Sequence, residues 1–130
     1  MQKLVVLGAG ESGTGAAVLA HKEGYQVFVS DKGEIKKEYK NVLLNIEIDW
    51  EEGQHTEDKI FEADEVVKSP GIPDNIELIQ KIKSMGIGVI DELEFAGRYS
   101  KAVMIGVTGT NGKTTTTNLI HHILTNAKMD

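Results

Sequence analysis

The sequence predicts an α/β fold, a parallel sheet flanked by helices, and three observations predict it. Short apolar runs rich in Val and Ile alternate with longer segments whose apolar residues recur at three and four positions. Glycine-containing turns separate run from segment, as they do where a strand hands over to a helix. Two of these junctions, one near each end of the chain, carry glycines and polar residues at a defined spacing. Alternating strands and helices of this kind build a parallel sheet.

The first strand is Lys3 to Leu7, followed at once by Gly8-Ala9-Gly10-Glu11-Ser12-Gly13, a complete G-x-G-x-x-G. Thr14 to Glu23 is Ala-rich and reads as a helix ending at Gly24. Tyr25 to Ser30 is the second strand, and Asp31 closes it about twenty residues after the glycines. Strand, glycine turn, helix, strand and terminal acid together make a Rossmann unit, whose glycines let a pyrophosphate approach the helix N-terminus. The plainer reading, in which the glycines serve only close helix–strand packing, stays open on sequence alone.

Lys32 to Asn41 is charged and reads as a loop or short helix; Val42 to Ile48 has an apolar core and reads as a third strand. Trp50 to His55 is expected to be a polar turn, with Trp50 packed at an edge. Glu57 to Glu62 is a short helix and Glu65 to Lys68 a fourth strand. That strand runs into Ser69-Pro70-Gly71-Ile72-Pro73, where two prolines around a glycine stiffen a turn. The turn lies at the carboxyl edge of the sheet, where open parallel sheets bind ligands. Asp74 is placed to cap the next helix, whose apolar face is Ile76, Ile79, Ile82 and Met85 and whose end is Gly86. Ile87 to Ile90 is a fifth strand, and Asp91 to Arg98 a short helix or connector.

Ala102 to Val107 reads as another strand, buried on both faces. Gly109-Thr110-Asn111-Gly112-Lys113-Thr114-Thr115 follows, opening a helix whose apolar face is Leu119, Ile120, Ile123, Leu124 and Ala127. Strand, glycine loop, Lys-Thr and helix is the arrangement that cradles a nucleoside triphosphate. Backbone N–H groups point at the phosphates, Lys113 supplies charge, and the Thr114 hydroxyl reaches Mg²⁺. The general motif has glycine five residues before Gly112; here that position is Val107, so the loop is a short variant.

Composition narrows the function classes. Fourteen Lys and Arg against twenty Asp and Glu give a net charge of −6, and no basic run invites nucleic acid or an anionic membrane. With no cysteine there is no disulfide frame, thiol nucleophile or zinc-thiolate site. No signal-like or membrane-spanning segment is present, so a cytoplasmic protein is expected. His21, His55 and the adjacent His121 and His122 lack metal-like spacing and are assigned surface or structural roles.

GAGESG after the first strand, SPGIP near the middle, DELEFA before the last junction and GTNGKTTT together resemble the Mur ligases of peptidoglycan synthesis, nearest to their D-glutamate-adding members. The resemblance covers essentially the whole chain. It implies a Rossmann-like UDP-substrate-binding domain over residues 1–99, and over residues 100–130 the first strand, P-loop and helix of a truncated central ATPase domain. It further implies that Ser12, Gly13, Asp31, Lys32, Ser69, Pro70 and Gly71 meet the UDP-sugar. Asn111, Gly112, Lys113, Thr114 and Thr115 would surround ATP, with Thr114 on Mg²⁺ and Lys113 and Thr114 in the catalytic role. The implied reaction joins D-glutamate to UDP-N-acetylmuramoyl-L-alanine through an acyl phosphate, a carboxylate being a poor electrophile until its oxygen becomes a leaving group. The downstream metal ligands and amino-acid site lie outside this sequence, so the fragment is expected to bind without catalysing. Its exposed apolar tail is expected to self-associate or be poorly protected. Two rival readings remain at this level: an NAD-binding oxidoreductase domain with Asp31 on the ribose, and a nucleotide-sensing binding module.

Overall fold

A computed structural model describes residues 1–128. They form two compact units, residues 1–100 and a second beginning at Lys101.

The first unit is a five-stranded sheet, every neighbouring pair parallel, in the order β3-β2-β1-β4-β5. The strands are β1 (Lys3–Leu7), β2 (Gln26–Asp31), β3 (Asp49–Glu52), β4 (Glu65–Lys68) and β5 (Gly88–Asp91). Between them run α1 (Glu11–Lys22), α2 (Lys37–Asn45), α3 (Glu57–Phe61) and α4 (Glu77–Ser84), with α5 (Glu92–Tyr99) after β5. The central strand explains the two-layered cover. Leu4 and Val6 of β1 join one core cluster with Ala16, Ala17 and Ala20 of α1, Leu43 of α2 and Phe95 of α5. Val5 and Leu7 point the other way, into a cluster with Ile60 of α3 and Ile79 and Ile82 of α4. The small alanines of α1 allow that helix close to the sheet, and Phe95 fills the far end, edge-on to Tyr25 and Tyr99 at 6.0 and 5.3 Å.

The largest departure from the sequence expectation concerns β3. Val42 to Ile48 is not a strand: α2 runs through it, burying Leu43 while Val42 and Leu44 stay exposed. Tyr39, Leu43 and Ile46 pack on the core at helical spacing, and that periodicity outweighs the local apolar run. The third strand is instead the charged Asp49–Glu52, at the sheet edge and overlapping the expected polar turn; Trp50 does pack against the core. The Asp74 cap is also corrected. Residue Ile76 is the N-cap of α4 without a side-chain cap, and Asp74 pairs with Lys83 at 3.0 Å instead. Asp91 does cap α5, its carboxylate accepting from Glu94 N–H at 2.7 Å.

In the second unit, α6 (Lys113–Asn126) forms where the Lys-Thr segment predicts a helix. The strand expected at Ala102–Val107 is absent; this stretch is irregular and Val103 is 91 % exposed. A strand needs a neighbour to satisfy its N–H and C=O groups, and none of the described strands pairs with it.

Candidate functional site

Strand order reverses between β1 and β4, since the chain leaves β1 toward β2 and β3 and then crosses back to β4. A crevice opens at such a switch point, outside the carboxyl ends of the strands. Two main-chain bonds extend the ladders into it: Gly8 N–H donates to Ser30 O at 2.9 Å, and Ser69 N–H donates to Leu7 O at 2.9 Å. They place the glycine turn and the Ser-Pro-Gly turn on opposite sides of one hollow of about 710 Å³. Its walls include Gly8, Gly10, Asp31, Lys32, Ser69 and Gly71, with an apolar side from Ile72, Pro73, Ile76 and Leu78.

The three glycines divide their work. Gly8 has φ +96°, and a Cβ there would stand 3.0 Å from the Ser69 Cβ. Gly13 is a packing residue: its Cβ would fall 2.0 Å from the Gly8 carbonyl oxygen. Gly10, the N-cap of α1, has nothing within 4 Å of where its Cβ would be, so its glycine keeps the space before the helix open. No side chain caps α1, leaving its first-turn N–H groups to whatever occupies that space.

Asp31 braces the turn. One carboxylate oxygen accepts from Ala9 N–H at 2.6 Å and the other from Gly33 N–H at 2.8 Å. Beside it lies a network that the sequence did not signal. Ser30 is fully buried and its hydroxyl lies 2.7 Å from both a Glu51 oxygen and the His55 Nδ1. Glu51 also accepts from the Thr56 N–H at 2.7 Å and the Thr56 hydroxyl at 2.5 Å. Burial pushes the Glu51 carboxyl up, but the Thr56 and Ser30 donors with the Lys59 charge outweigh it and hold it below its ordinary range. For His55 burial dominates and lowers the imidazole below 6.5, against the opposing charges of Glu51 and Asp31. Both Gln54 and His55 line the hollow, as does Glu57.

Ser12 and Pro70 fall elsewhere. They line an adjoining depression with Ala16, Leu19, Glu92 and Leu93. There the Ser12 hydroxyl donates to the buried Glu92 carboxylate at 3.0 Å. Of the seven residues expected on a UDP-sugar, the hollow therefore collects Asp31, Lys32, Ser69 and Gly71; Gly13 lies beneath it, and Ser12 and Pro70 beside it.

In the second unit, the loop before α6 turns on two glycines with positive φ. Gly112 is the N-cap with φ +78°, Gly109 has φ +147°, and Lys113 Nζ folds back onto Gly109 O at 2.6 Å. The first helical bond, Thr116 N–H to Gly112 O at 2.9 Å, leaves the N–H groups of Lys113, Thr114 and Thr115 free of helical partners. Free N–H groups at a helix start of this kind can meet an anion. Among the described residues no cluster of His, Asp or Glu could hold a metal ion.

A parallel sheet in this order, with a glycine turn and an open helix N-terminus at its switch point, defines an α/β domain of the Rossmann type. Comparison with known proteins is more specific. Residues 3–78 match the family model described as the MurD N-terminal domain, and the chain belongs to that family. Two curated relatives are named UDP-N-acetylmuramoylalanine–D-glutamate ligase. The one from Christiangramia forsetii is 59 % identical over 123 residues, covering 95 % of this chain and 28 % of the relative. The one from Bacteroides thetaiotaomicron is 58 % identical over 130 residues, covering 100 % of this chain and 29 % of the relative. The chain thus spans under a third of the length of these relatives. Among solved structures, a pseudomurein peptide ligase type C from Methanothermus fervidus aligns with TM-score 0.68 at 30 % identity, over 96 % of this chain and 26 % of that one. A murein peptide ligase from Psychrobacter arcticus aligns with TM-score 0.70 at 26 % identity, over 98 % and 27 %.

Proposed function

We propose that this chain is the UDP-substrate-binding part, with the start of the ATPase part, of a ligase that adds D-glutamate to UDP-N-acetylmuramoyl-L-alanine. The observation that carries the reading is the hollow at the switch point, which joins the open N-terminus of α1 to the Ser-Pro-Gly turn. A diphosphate seats at the α1 N-terminus, where Gly10 leaves room and free N–H groups meet its charge. Lys32 adds a cation, and the backbone and hydroxyl of Ser69 with Gly71 close the opposite side. Asp31 braces the turn through two main-chain bonds, which favours this role over that of a ribose clamp for NAD.

In the second unit, Asn111, Gly112, Lys113, Thr114 and Thr115 would hold ATP, with the Thr114 hydroxyl on Mg²⁺. When bound, magnesium-ATP supplies the phosphoryl group that activates a carboxylate toward an amine. This chain's own contribution there is charge neutralisation by Lys113 and the loop N–H groups. A cytoplasmic site of action accords with the reading, and no described helix is long and apolar enough to cross a membrane.

Calorimetry on the 130-residue chain tests the proposal with UDP-N-acetylmuramoyl-L-alanine, UDP and NAD as separate titrants. The expected order is UDP-sugar tightest, UDP weaker, NAD without response. Binding of NAD with no response to either uridine ligand would overturn it.

A further inference from the structure

We propose that Glu92 is a specificity-determining residue, its buried charge favouring a diphosphate esterified at both ends over one that ends in a free phosphate. The proposal rests on the nucleotide reading above and deepens it. The position of the carboxylate carries it. Glu92 is 8 % exposed, and its Oε1 accepts from the Ser12 hydroxyl at 3.0 Å. The same oxygen would lie 3.5 Å from a Cβ on Gly13. Ser12 and Gly13 belong to the first turn of α1, so the carboxylate borders that turn from the side of the adjoining depression. Gly8 and Gly10 border it from the side of the hollow. One helix start therefore stands between an internal anion and the place proposed for the diphosphate.

The internal anion is poorly compensated. None of the ion pairs among the described residues includes Glu92. A hydroxyl donor disperses part of a carboxylate's charge without cancelling it. Asp31 also brings a carboxylate to the glycine turn, but two main-chain N–H groups bind that one. The partial positive charge at the α1 N-terminus is thus shared between Glu92 and the ligand. Burial leaves little water or salt to screen the repulsion between them. That repulsion grows with ligand charge. The two phosphates of a UDP-sugar are both diesters and carry about two charges, whereas the terminal monoester of UDP raises the total to about three near pH 7.5. For charges roughly 8 Å apart, in a dielectric between those of a protein surface and water, one extra charge weakens binding about fivefold.

Calorimetry at pH 7.5 tests the proposal on the 130-residue chain, in the parent, Glu92→Gln and Glu92→Asp. The ligands are UDP, uridine and UDP-N-acetylmuramoyl-L-alanine, whose own carboxylate lies beyond the sugar. Glu92→Gln removes the charge and keeps an acceptor for Ser12. It should tighten UDP about fivefold more than the UDP-sugar and leave uridine unchanged. Glu92→Asp, which keeps the charge, should keep the parent's ratio of the two affinities. Should the amide prevent folding, Glu92→Ala reads the same ratio. An unchanged ratio in Glu92→Gln, with both ligands still bound, would overturn the charge effect alone. An equal change of ratio in Glu92→Asp would also overturn it, because packing would then be the cause. Failure of the parent to bind either uridine diphosphate ligand would remove the nucleotide reading, and this proposal with it.

Discussion

Gly13 and Gly8 touch so closely that a Cβ on Gly13 would lie 2.0 Å from the Gly8 carbonyl oxygen. The contact fixes the first turn of α1 against the end of β1. Because the obstructing atom is backbone, nothing nearby can rotate away. Gly13→Ala should therefore cost about 3 kcal/mol of stability. Gly10→Ala, facing open space at φ −74°, should cost less than about 1 kcal/mol yet narrow the space for a diphosphate. Urea unfolding of both variants, paired with UDP titration, checks the contrast; equal destabilisation by the two would contradict it.

Phe95 closes the end of one core cluster and is fully buried. Phe95→Ala should destabilise the first unit by roughly 3–5 kcal/mol, the usual cost of emptying a large aromatic site. Loss of less than about 1 kcal/mol in the same denaturation experiment would mean the site collapses to fill itself.

Acid should weaken the fold in two stages, and the sign follows from the shifts. His55 is lowered in the folded state, so the unfolded chain takes up a proton first as pH falls below 6.5, and stability drops until the folded imidazole titrates. Glu51 is lowered below 4.5, so its contribution is present above that pH and lost as pH falls through its folded value. His55→Gln should flatten the first stage and leave the second. Thermal melts from pH 7.5 to 4 in parent and variant measure it; superimposable profiles above pH 5 would refute the assignment.

On the proposed function, Lys113→Ala should weaken ATP binding to the 130-residue chain while leaving UDP-sugar affinity nearly unchanged, because the two turns belong to different compact units and share no partner. Parallel loss of ATP and UDP-sugar affinity, measured by calorimetry, would refute the division of labour between the two glycine turns.

Residues 103–112 should exchange their amide hydrogens far faster than β1, since no strand pairs with them among the described residues. Leu119 and Ile123 of α6 are also exposed. Hydrogen exchange at several protein concentrations checks both points: protection that rises with concentration would show the tail pairing between copies, and strong protection at every concentration would refute the expectation of fast exchange.

The central strands and the first glycine turn are readable because their signals are local: apolar runs, glycine spacing and a terminal acid within about twenty residues. Ala102–Val107 carries the same apolar signal yet forms no strand. β3 was not readable, because Val42-Leu43-Leu44 imitates a strand while only Leu43 is buried. The true strand, Asp49–Glu52, reads as a charged turn because Glu51 and Glu52 spend their carboxylates on Ser30, Thr56, Ile35 and Lys40. His55 carries no sign of its surroundings in the sequence for the same reason. Its partner Ser30 is 25 residues away, and only the parallel pairing of β2 with β3 brings them together. Glu92 meets Ser12 across 80 residues and gave no local sign. The one available hint was that Gln54 and His55 follow a strand end at the ligand edge.

Side chains from the sheet hold both banks of the hollow. Asp31 ties down the main chain at Ala9 and Gly33, and Lys68 donates to the Ile72 carbonyl at 3.0 Å across the proline turn. Little ordering of these loops is left for a ligand to bring about. The kinetic consequence is a capture step governed by encounter and orientation: the observed rate should rise linearly with nucleotide concentration and show no plateau from a slow rearrangement.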